Sequence, residues 1–171
     1  FYYTWLPVDP KIASADRPGF AEVRYHALGS DPAKDVVVRE RTGDASTFIA
    51  AEVSRDGHFL FLTVEHGWTS SDLFVKDLRK GTPSTWQPLA VGRDAHSSVE
   101  AYRDTFYLLT DEGAPSKRIF KISPDKMARD AWKEIVPERK DATIQSMSVV
   151  GGKLAVVPMK NATNRFEIYE L

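Results

Sequence analysis

Residues 50–78 of the chain read AAEVSRDGHFLFLTVEHGWTSSDLFVKDL, and the rest of the sequence repeats this unit. The dipeptide Asp56-Gly57 favours positive φ, so it predicts a type I′ turn between two paired strands. The run HFLFLTV after it is rich in aromatic and β-branched residues and is too short for a typical helix. A break from His66 to Asp72 then leads into the run LFVKDL. The stretch therefore predicts a three-stranded antiparallel meander.

The turn and the strand after it recur along the chain. The runs HFLFLT, TFYLLT and KLAVVP follow the turn residues Gly57, Asp104 and Gly152, which are spaced about 47 residues apart. A second set of runs aligns in the same way, namely VRYHAL, LFVKDL, RIFKIS and FEIYEL. Repeats of about 40–50 residues with four strands each are typical of β-propeller blades. We therefore predict an all-β propeller of four-stranded antiparallel blades, with a β-sandwich of coincidental spacing as the alternative.

The repeat divides the chain, as one partial propeller domain, into about four blades. Their approximate bounds are residues 1–45, 46–92, 93–140 and 141–171. With strands named A to D from the inside of a blade outwards, the first blade lacks A and the fourth lacks D, which leaves about fourteen strands. Residues 124–133 are predicted to form a loop rather than a helix, because they show little apolar periodicity.

Incomplete end blades predict sheet edges and apolar blade faces that need covering. We therefore expect this chain to be part of a larger propeller. An isolated copy is expected to pair edge to edge with another copy or to depend on the absent blades. A complete small propeller with swapped ends is the alternative.

Composition narrows the function classes. The 171 residues hold 23 Lys and Arg against 24 Asp and Glu, so no net charge favours nucleic acid or an anionic membrane surface. No apolar run approaches the roughly 18 residues of a membrane span. Cysteine is absent, which excludes disulfides, thiol catalysis and cysteine-based zinc sites within this sequence and leaves the compartment open between cytoplasm and periplasm.

The sequence contains none of the common catalytic signatures G-x-S-x-G, H-E-x-x-H, P-loop or G-x-G-x-x-G. His26 and His58 are predicted to be surface residues. His96 precedes Ser97, but adjacency in sequence does not give the geometry of a Ser–His pair. Asn161 opens a formal glycosylation sequon. We therefore predict no catalytic residue, no metal site and no cofactor within this chain.

Two large aromatic residues, Phe48 and Trp68, are predicted to lie at one end of a blade. In a hairpin centred on Asp56-Gly57, facing residues have numbers that sum to about 113, so Phe48 faces Glu65. Trp68 then follows the end of that ladder, where the D–A and B–C loops meet. The spacing leaves two interpretations open: the rings face a ligand, or Phe48 packs between blades while Trp68 caps the blade.

In series, the motifs of the chain resemble the propeller of the prolyl oligopeptidases. The stretches that carry the resemblance are FYYTWLP, RYHALGSDPAKDVVVRE, AAEVSRDGHFLFLTVEHG and DLFVKDL. They are similar in order and spacing to the family patterns F-Y-x-x-x-x-P, Y-Y-H-x-L-G-T-x-x-x-x-D and G-A-E-x-S-x-D-G-R-Y. The match is good over residues 1 to about 80 and looser from there to Leu171.

The resemblance implies a seven-bladed propeller that covers an α/β-hydrolase domain with a Ser-Asp-His triad. Such enzymes cleave oligopeptides after proline, and the propeller excludes large folded proteins. The implied partners are therefore the hydrolase domain of the same parent protein and an oligopeptide substrate, with no nucleic acid and no membrane. The resemblance also implies that Phe48 and Trp68 line an apolar pocket for the substrate residue two before the proline. Glu65 departs from the family, because some relatives carry a basic residue there.

Two other functions stay open on the sequence alone. A stand-alone propeller that binds proteins or sugars without catalysis would show the same strands. Another peptidase of the same clan would cut at different termini or after basic residues. A reading frame that continues into three more blades and a G-x-S-x-G strand–turn–helix would favour the peptidase, and a panel of fluorogenic peptides would separate the two kinds of peptidase.

Overall fold

The computed structural model describes residues 1–79 and 85–171, and strands dominate this part of the chain. The strands are β1 (Tyr2–Trp5), β2 (Glu22–Tyr25), β3 (Val36–Arg39), β4 (Thr47–Val53), β5 (Phe59–His66), β6 (Ser70–Asp77), β7 (Gln87–Ala90), β8 (Ser97–Ala101), β9 (Phe106–Thr110), β10 (Arg118–Ile122), β11 (Lys133–Val136), β12 (Thr143–Val150), β13 (Lys153–Lys160), β14 (Thr163–Asn164) and β15 (Glu167–Glu170). Short 3-10 helices form at Arg17–Phe20, Pro32–Lys34 and Arg129–Ala131. In the described ranges no helix has the length and hydropathy needed to cross a membrane.

The strands form antiparallel sheets that each follow the chain as a meander. The sheets are β1-β2-β3, β4-β5-β6-β7, β8-β9-β10-β11, and a last sheet in which β13 pairs with β12 on one side and with β14 and β15 on the other. The all-β fold predicted from the repeat is confirmed. One strand more than expected forms in the described residues, because the two-residue β14 extends the turn after β13. Of residues 124–133, predicted to form a loop, residues 124–132 do so with a 3-10 turn at Arg129–Ala131, and Lys133 begins β11.

The described residues group into two compact units, each with its own core. Phe1–Val53 and Gly57–Gly92 form the first unit, while Ser54–Asp56 and Arg93–Leu171 form the second. The first core consists of Ala21, Val23, Ile49, Leu62 and Val64. The second core consists of Tyr107, Leu109, Ile119, Val136, Ile144, Val149, Leu154 and Val156. Burial alternates along β4 because successive side chains of a strand point to opposite faces.

The turn predicted at Asp56-Gly57 is not type I′. Only Gly57 of the pair has positive φ, at +75°, whereas a type I′ turn needs positive φ at both central residues. The ladder ends where Val53 faces Leu60, and residues 54–58 form a loop longer than two residues. The Ser54 hydroxyl donates to the Asp56 carboxylate at 2.6 Å inside this loop. The local hydrogen bond and the longer loop replace the expected two-residue turn.

Other hairpins of the chain have the paired positive φ values that the first one lacks. They occur at Gly151-Gly152 and at Arg103-Asp104, the second pair without glycine. Between β13 and β14, Asn161 and Ala162 have φ values of +50° and +58°. A side chain with Cβ in this left-handed region costs roughly 1–2 kcal/mol relative to ordinary backbone.

His26 is not the surface residue that we predicted. Its side chain is 14% exposed, and its Nδ1 lies 2.8 Å from Oδ1 of Asp35, whose side chain is 2% exposed. The Tyr3 hydroxyl donates to the other carboxylate oxygen at 2.7 Å. The hydrogen bond from Tyr3, with a smaller contribution from His26, lowers the pKa of Asp35 despite its desolvation. This carboxylate therefore links β1 to the segments that follow β2 and precede β3.

The left-handed conformation of Ala162 predicts a stabilising substitution. We expect Ala162→Gly to raise the free energy of unfolding by about 0.5–1 kcal/mol, because glycine removes the Cβ strain. Part of this gain is offset because glycine also increases the conformational entropy of the unfolded chain. Thermal or urea unfolding of the protein measures the change. The matched control is Ala128→Gly, since Ala128 is also exposed but has φ −59°. The control is expected to be destabilised, and an equal effect of both substitutions would contradict the strain argument.

The lowered pKa of Asp35 predicts a stability that depends on pH. An unfolded Asp titrates at about pH 3.9, and the folded carboxyl titrates below that value. Its stabilising contribution is therefore complete above the unfolded pKa and is lost as pH falls through the folded pKa. We expect Asp35→Asn to lower the melting temperature at pH 7 and to weaken its decline below about pH 4. Thermal unfolding over this pH range measures both effects, and an unchanged acid dependence would contradict the assignment.

Candidate substrate-contact site

The two aromatic residues singled out by the sequence lie at one end of the β4–β5 hairpin. In the structure Phe48 faces Glu65, and the ladder ends with Thr47 facing His66. Trp68 follows directly, in the turn between β5 and β6. The register predicted from the sum of facing residue numbers is therefore confirmed.

Phe48 and Trp68 are both exposed, in contrast to the neighbours of Phe48 on β4. Phe48 is 55% exposed and Trp68 is 97% exposed, whereas Thr47 is 4% and Ile49 is 7% exposed. Thr47 and Ile49 point to the opposite face of the strand from Phe48. Neither aromatic ring belongs to a buried core of the described residues, and the role of the pair stays a prediction.

The turn that carries Trp68 depends on Gly67. Gly67 has φ +59°, and the Thr69 N–H donates to the His66 carbonyl at 3.2 Å, which closes the turn. A positive φ at only the first central residue is the pattern of a type II′ turn, where glycine is favoured. Gly67 therefore redirects the backbone directly before Trp68.

The loop before β4 is tied to the same turn by a backbone hydrogen bond, and side-chain hydrogen bonds hold the loop internally. The Gly67 N–H donates to the Ser46 carbonyl at 3.2 Å. The Ser46 hydroxyl and N–H donate to Oδ1 of Asp44 at 2.7 and 2.8 Å, and these bonds lower the pKa of Asp44. The buried Thr47 hydroxyl donates to the Asp44 carbonyl at 2.7 Å. The approach of the chain to Phe48 is therefore fixed on both sides.

Gly19, in the long loop between β1 and β2, packs directly on the loop before β4. The Gly43 N–H donates to the Gly19 carbonyl at 2.9 Å. A Cβ added at Gly19 would lie 2.9 Å from the Ala45 nitrogen, closer than real Cβ atoms come, and 3.0 Å from the Asp44 carbonyl carbon. Only glycine fits there without moving backbone. The sequence pattern showed Gly19 in a loop but gave no signal for this contact.

An imidazole–carboxylate pair joins the two sides of the Trp68 turn. Nε2 of His66, at the end of β5, lies 2.9 Å from Oδ2 of Asp72 on β6. The other oxygen of Asp72 accepts the Gly92 N–H at 2.7 Å. Sequence reasoning treated His66 and Asp72 only as the limits of a break between strands, because the pairing becomes visible only once the register of β5 and β6 is known.

The chemistry that this end of the hairpin offers is apolar contact. Phe48 is exposed on β4 opposite the half-buried Glu65, and the exposed Trp68 follows in the turn after β5. Among residues 1–79 and 85–171, no group of three or more His, Cys, Asp or Glu side chains is placed to hold a metal ion. The arrangement can therefore contact a side chain of a ligand, and its geometry suits recognition.

Comparison with known proteins gives consistent matches. The model of the prolyl oligopeptidase N-terminal β-propeller domain matches residues 1–171. A prolyl endopeptidase of Elizabethkingia meningoseptica is 26% identical over 150 residues, which is 87% of this chain and 21% of that protein. A solved prolyl endopeptidase is 46% identical, with a TM-score of 0.95 over 100% of this chain and 25% of its own.

A more distant structure shares the fold alone. Prolyl oligopeptidase B of Galerina marginata, solved with a 25mer macrocyclization substrate, is 20% identical with a TM-score of 0.85. The match covers 99% of this chain and 24% of that one. The chain thus spans about a fifth to a quarter of the length of the relatives that it matches. Because the family model covers all of residues 1–171, the chain belongs to the family of prolyl oligopeptidase N-terminal β-propeller domains.

Proposed function

We propose that this chain is the non-catalytic propeller portion of a serine-type prolyl endopeptidase that cleaves oligopeptides after proline. In this function the propeller gates access to the triad of an α/β-hydrolase domain in the same parent protein. It also lines part of the substrate pocket, where Phe48 and Trp68 contact the residue two before the proline. The observation that carries the proposal is that both rings are exposed at one end of the β4–β5 hairpin. The family match supplies the context for this observation.

The exposed rings support a binding role on physical grounds. A Trp or Phe side chain can bury roughly 150–250 Å² of surface on contact, so an exposed pair leaves considerable apolar area for a ligand. Large apolar groups that stay exposed together mark interaction sites more often than single ones do. The hydrogen bonds around Gly67 and Ser46 hold the backbone before binding, which reduces the entropy lost when a peptide docks.

The relatives favour a peptidase over a stand-alone binding module. The relatives at 26% and 46% identity are prolyl endopeptidases, and this chain matches only a part of each. A peptidase of the same clan with another cleavage preference would keep the same propeller. Substrate choice therefore has to be measured on the whole protein.

Full-length protein is expected to cleave a short fluorogenic peptide after proline and to spare a folded protein that displays the same sequence in a surface loop. The size limit follows from gating, because a folded protein cannot pass an opening that admits an extended chain. Initial rates with peptides that carry Pro, Lys or Arg before the scissile bond measure the preference. Preferred cleavage after Lys or Arg would favour the other peptidase, and no cleavage of any peptide would favour the binding module.

Trp68→Ala is expected to raise KM for peptides with a large apolar residue two before the proline. The loss of one apolar contact corresponds to a decrease of about 10- to 200-fold in kcat/KM. A peptide with glycine at that position is the control, and it should change much less because it offers no side chain to the indole. The measurement is the ratio of kcat/KM for Phe- and Gly-containing peptides in the full-length enzyme. An equal loss for both peptides would make Trp68 a packing residue and contradict the pocket.

A further inference from the structure

The turn that presents Trp68 is closed at His66. Its carbonyl accepts both the Thr69 N–H at 3.2 Å and the Thr69 hydroxyl at 2.8 Å. Trp68 lies between these two residues, and its side chain is 97% exposed. The backbone on both sides of the indole is thus held by hydrogen bonds to the His66 carbonyl.

The side chain of His66 is fixed from the neighbouring strand. Ser70 faces His66 and Asp72 faces Val64, so Asp72 is the diagonal neighbour of His66 on the same face of the sheet. Diagonal neighbours lie roughly 7–8 Å apart at Cα, within reach of an imidazole and a carboxylate. Nε2 of His66 and Oδ2 of Asp72 meet at 2.9 Å.

Asp72 is itself held in place by the backbone after β7. Its Oδ1 accepts the Gly92 N–H at 2.7 Å while Oδ2 binds His66. The Asp72 side chain is 19% exposed, against 40% for that of His66. One carboxylate thus connects the Trp68 turn to the segment that follows the outer strand of the same sheet.

We infer that His66 and Asp72 are positioning residues that hold the turn between β5 and β6, so that the Trp68 indole meets the substrate side chain two before the proline. This inference rests on the proposed function. Neither side chain contacts the reacting atoms. Their effect reaches substrate only through Trp68, so it should vanish when the indole is absent.

The first test compares His66→Leu and His66→Gln in the full-length enzyme. Leu has no donor for the Asp72 carboxylate, whereas the Gln amide can donate to it. We expect His66→Leu to lower the Phe/Gly ratio of kcat/KM about tenfold, through KM with kcat retained, and His66→Gln to restore most of it. Asp72→Asn, which keeps the shape but loses one acceptor, should lower the same ratio if the Leu variant does not fold.

The double variant Trp68→Ala/His66→Leu separates positioning from general structure. If His66 acts through the indole, the double variant has the same ratio as Trp68→Ala alone, because residues that act through one another are not additive. The matched control is His26→Leu, since His26 forms the same kind of pair with Asp35 at 2.8 Å but away from the Trp68 turn. The control should change thermal stability and leave the ratio unchanged.

The results of these tests separate failure of the positioning role from failure of the proposed substrate pocket. An unchanged ratio in His66→Leu together with a lowered ratio in Trp68→Ala would overturn the positioning role alone. Additive losses in the double variant, or equal effects of Leu and Gln at His66, would overturn it as well. An unchanged ratio in Trp68→Ala would overturn the proposed pocket, and the positioning role with it.

Discussion

The pairing register of β4 and β5 is the constraint on which the candidate site depends. Successive side chains of a strand point to opposite faces, so a slip of one residue would bring Phe48 into the core and expel Ile49. Ile49 packs with Leu62 and Val64 in the first core. Burial of each such side chain contributes roughly 1.5–3 kcal/mol, so the slipped register is strongly disfavoured. The exposure of Phe48 is thus a consequence of what its neighbours bury.

The register could be predicted from sequence even though the turn type was wrong. Facing residues depend only on the centre of a hairpin. The observed loop between Val53 and Leu60 has the same centre as a two-residue turn at Asp56-Gly57. Sequence therefore determined the partner of Phe48 without determining the path of the chain around the turn. The conformation of the turn depends on local hydrogen bonds, such as the one from Ser54 to Asp56. The turn preference of an Asp-Gly dipeptide does not take such bonds into account.

The contacts that sequence reasoning missed join residues through the geometry of a formed sheet. His26 meets Asp35, and His66 meets Asp72, only after antiparallel pairing has brought separate segments side by side. The fit of Gly19 against the Ala45 nitrogen is of the same kind, since it depends on the approach of two loops that have no periodic pattern. The fold and the placement of Phe48 and Trp68 at one hairpin end were predictable because they follow from alternation and repeat. The hydrogen bonds and loop contacts that hold the candidate site could not be predicted, because such contacts produce no periodic pattern in the sequence.

The two His–Asp pairs show why a turn can be held rigidly without being buried. The Asp35 side chain is almost fully enclosed, and hydrogen bonds from Tyr3 and His26 offset its desolvation. His66 is 40% exposed, and solvent screens the charge interaction of such a pair until it contributes little to stability. The pair therefore acts mainly on orientation. The Asp72 carboxylate orients the His66 imidazole, and the His66 carbonyl closes the turn. If Trp68 contacts substrate as proposed, the hydrogen bonds at His66 and Gly67 set the backbone from which its exposed indole extends.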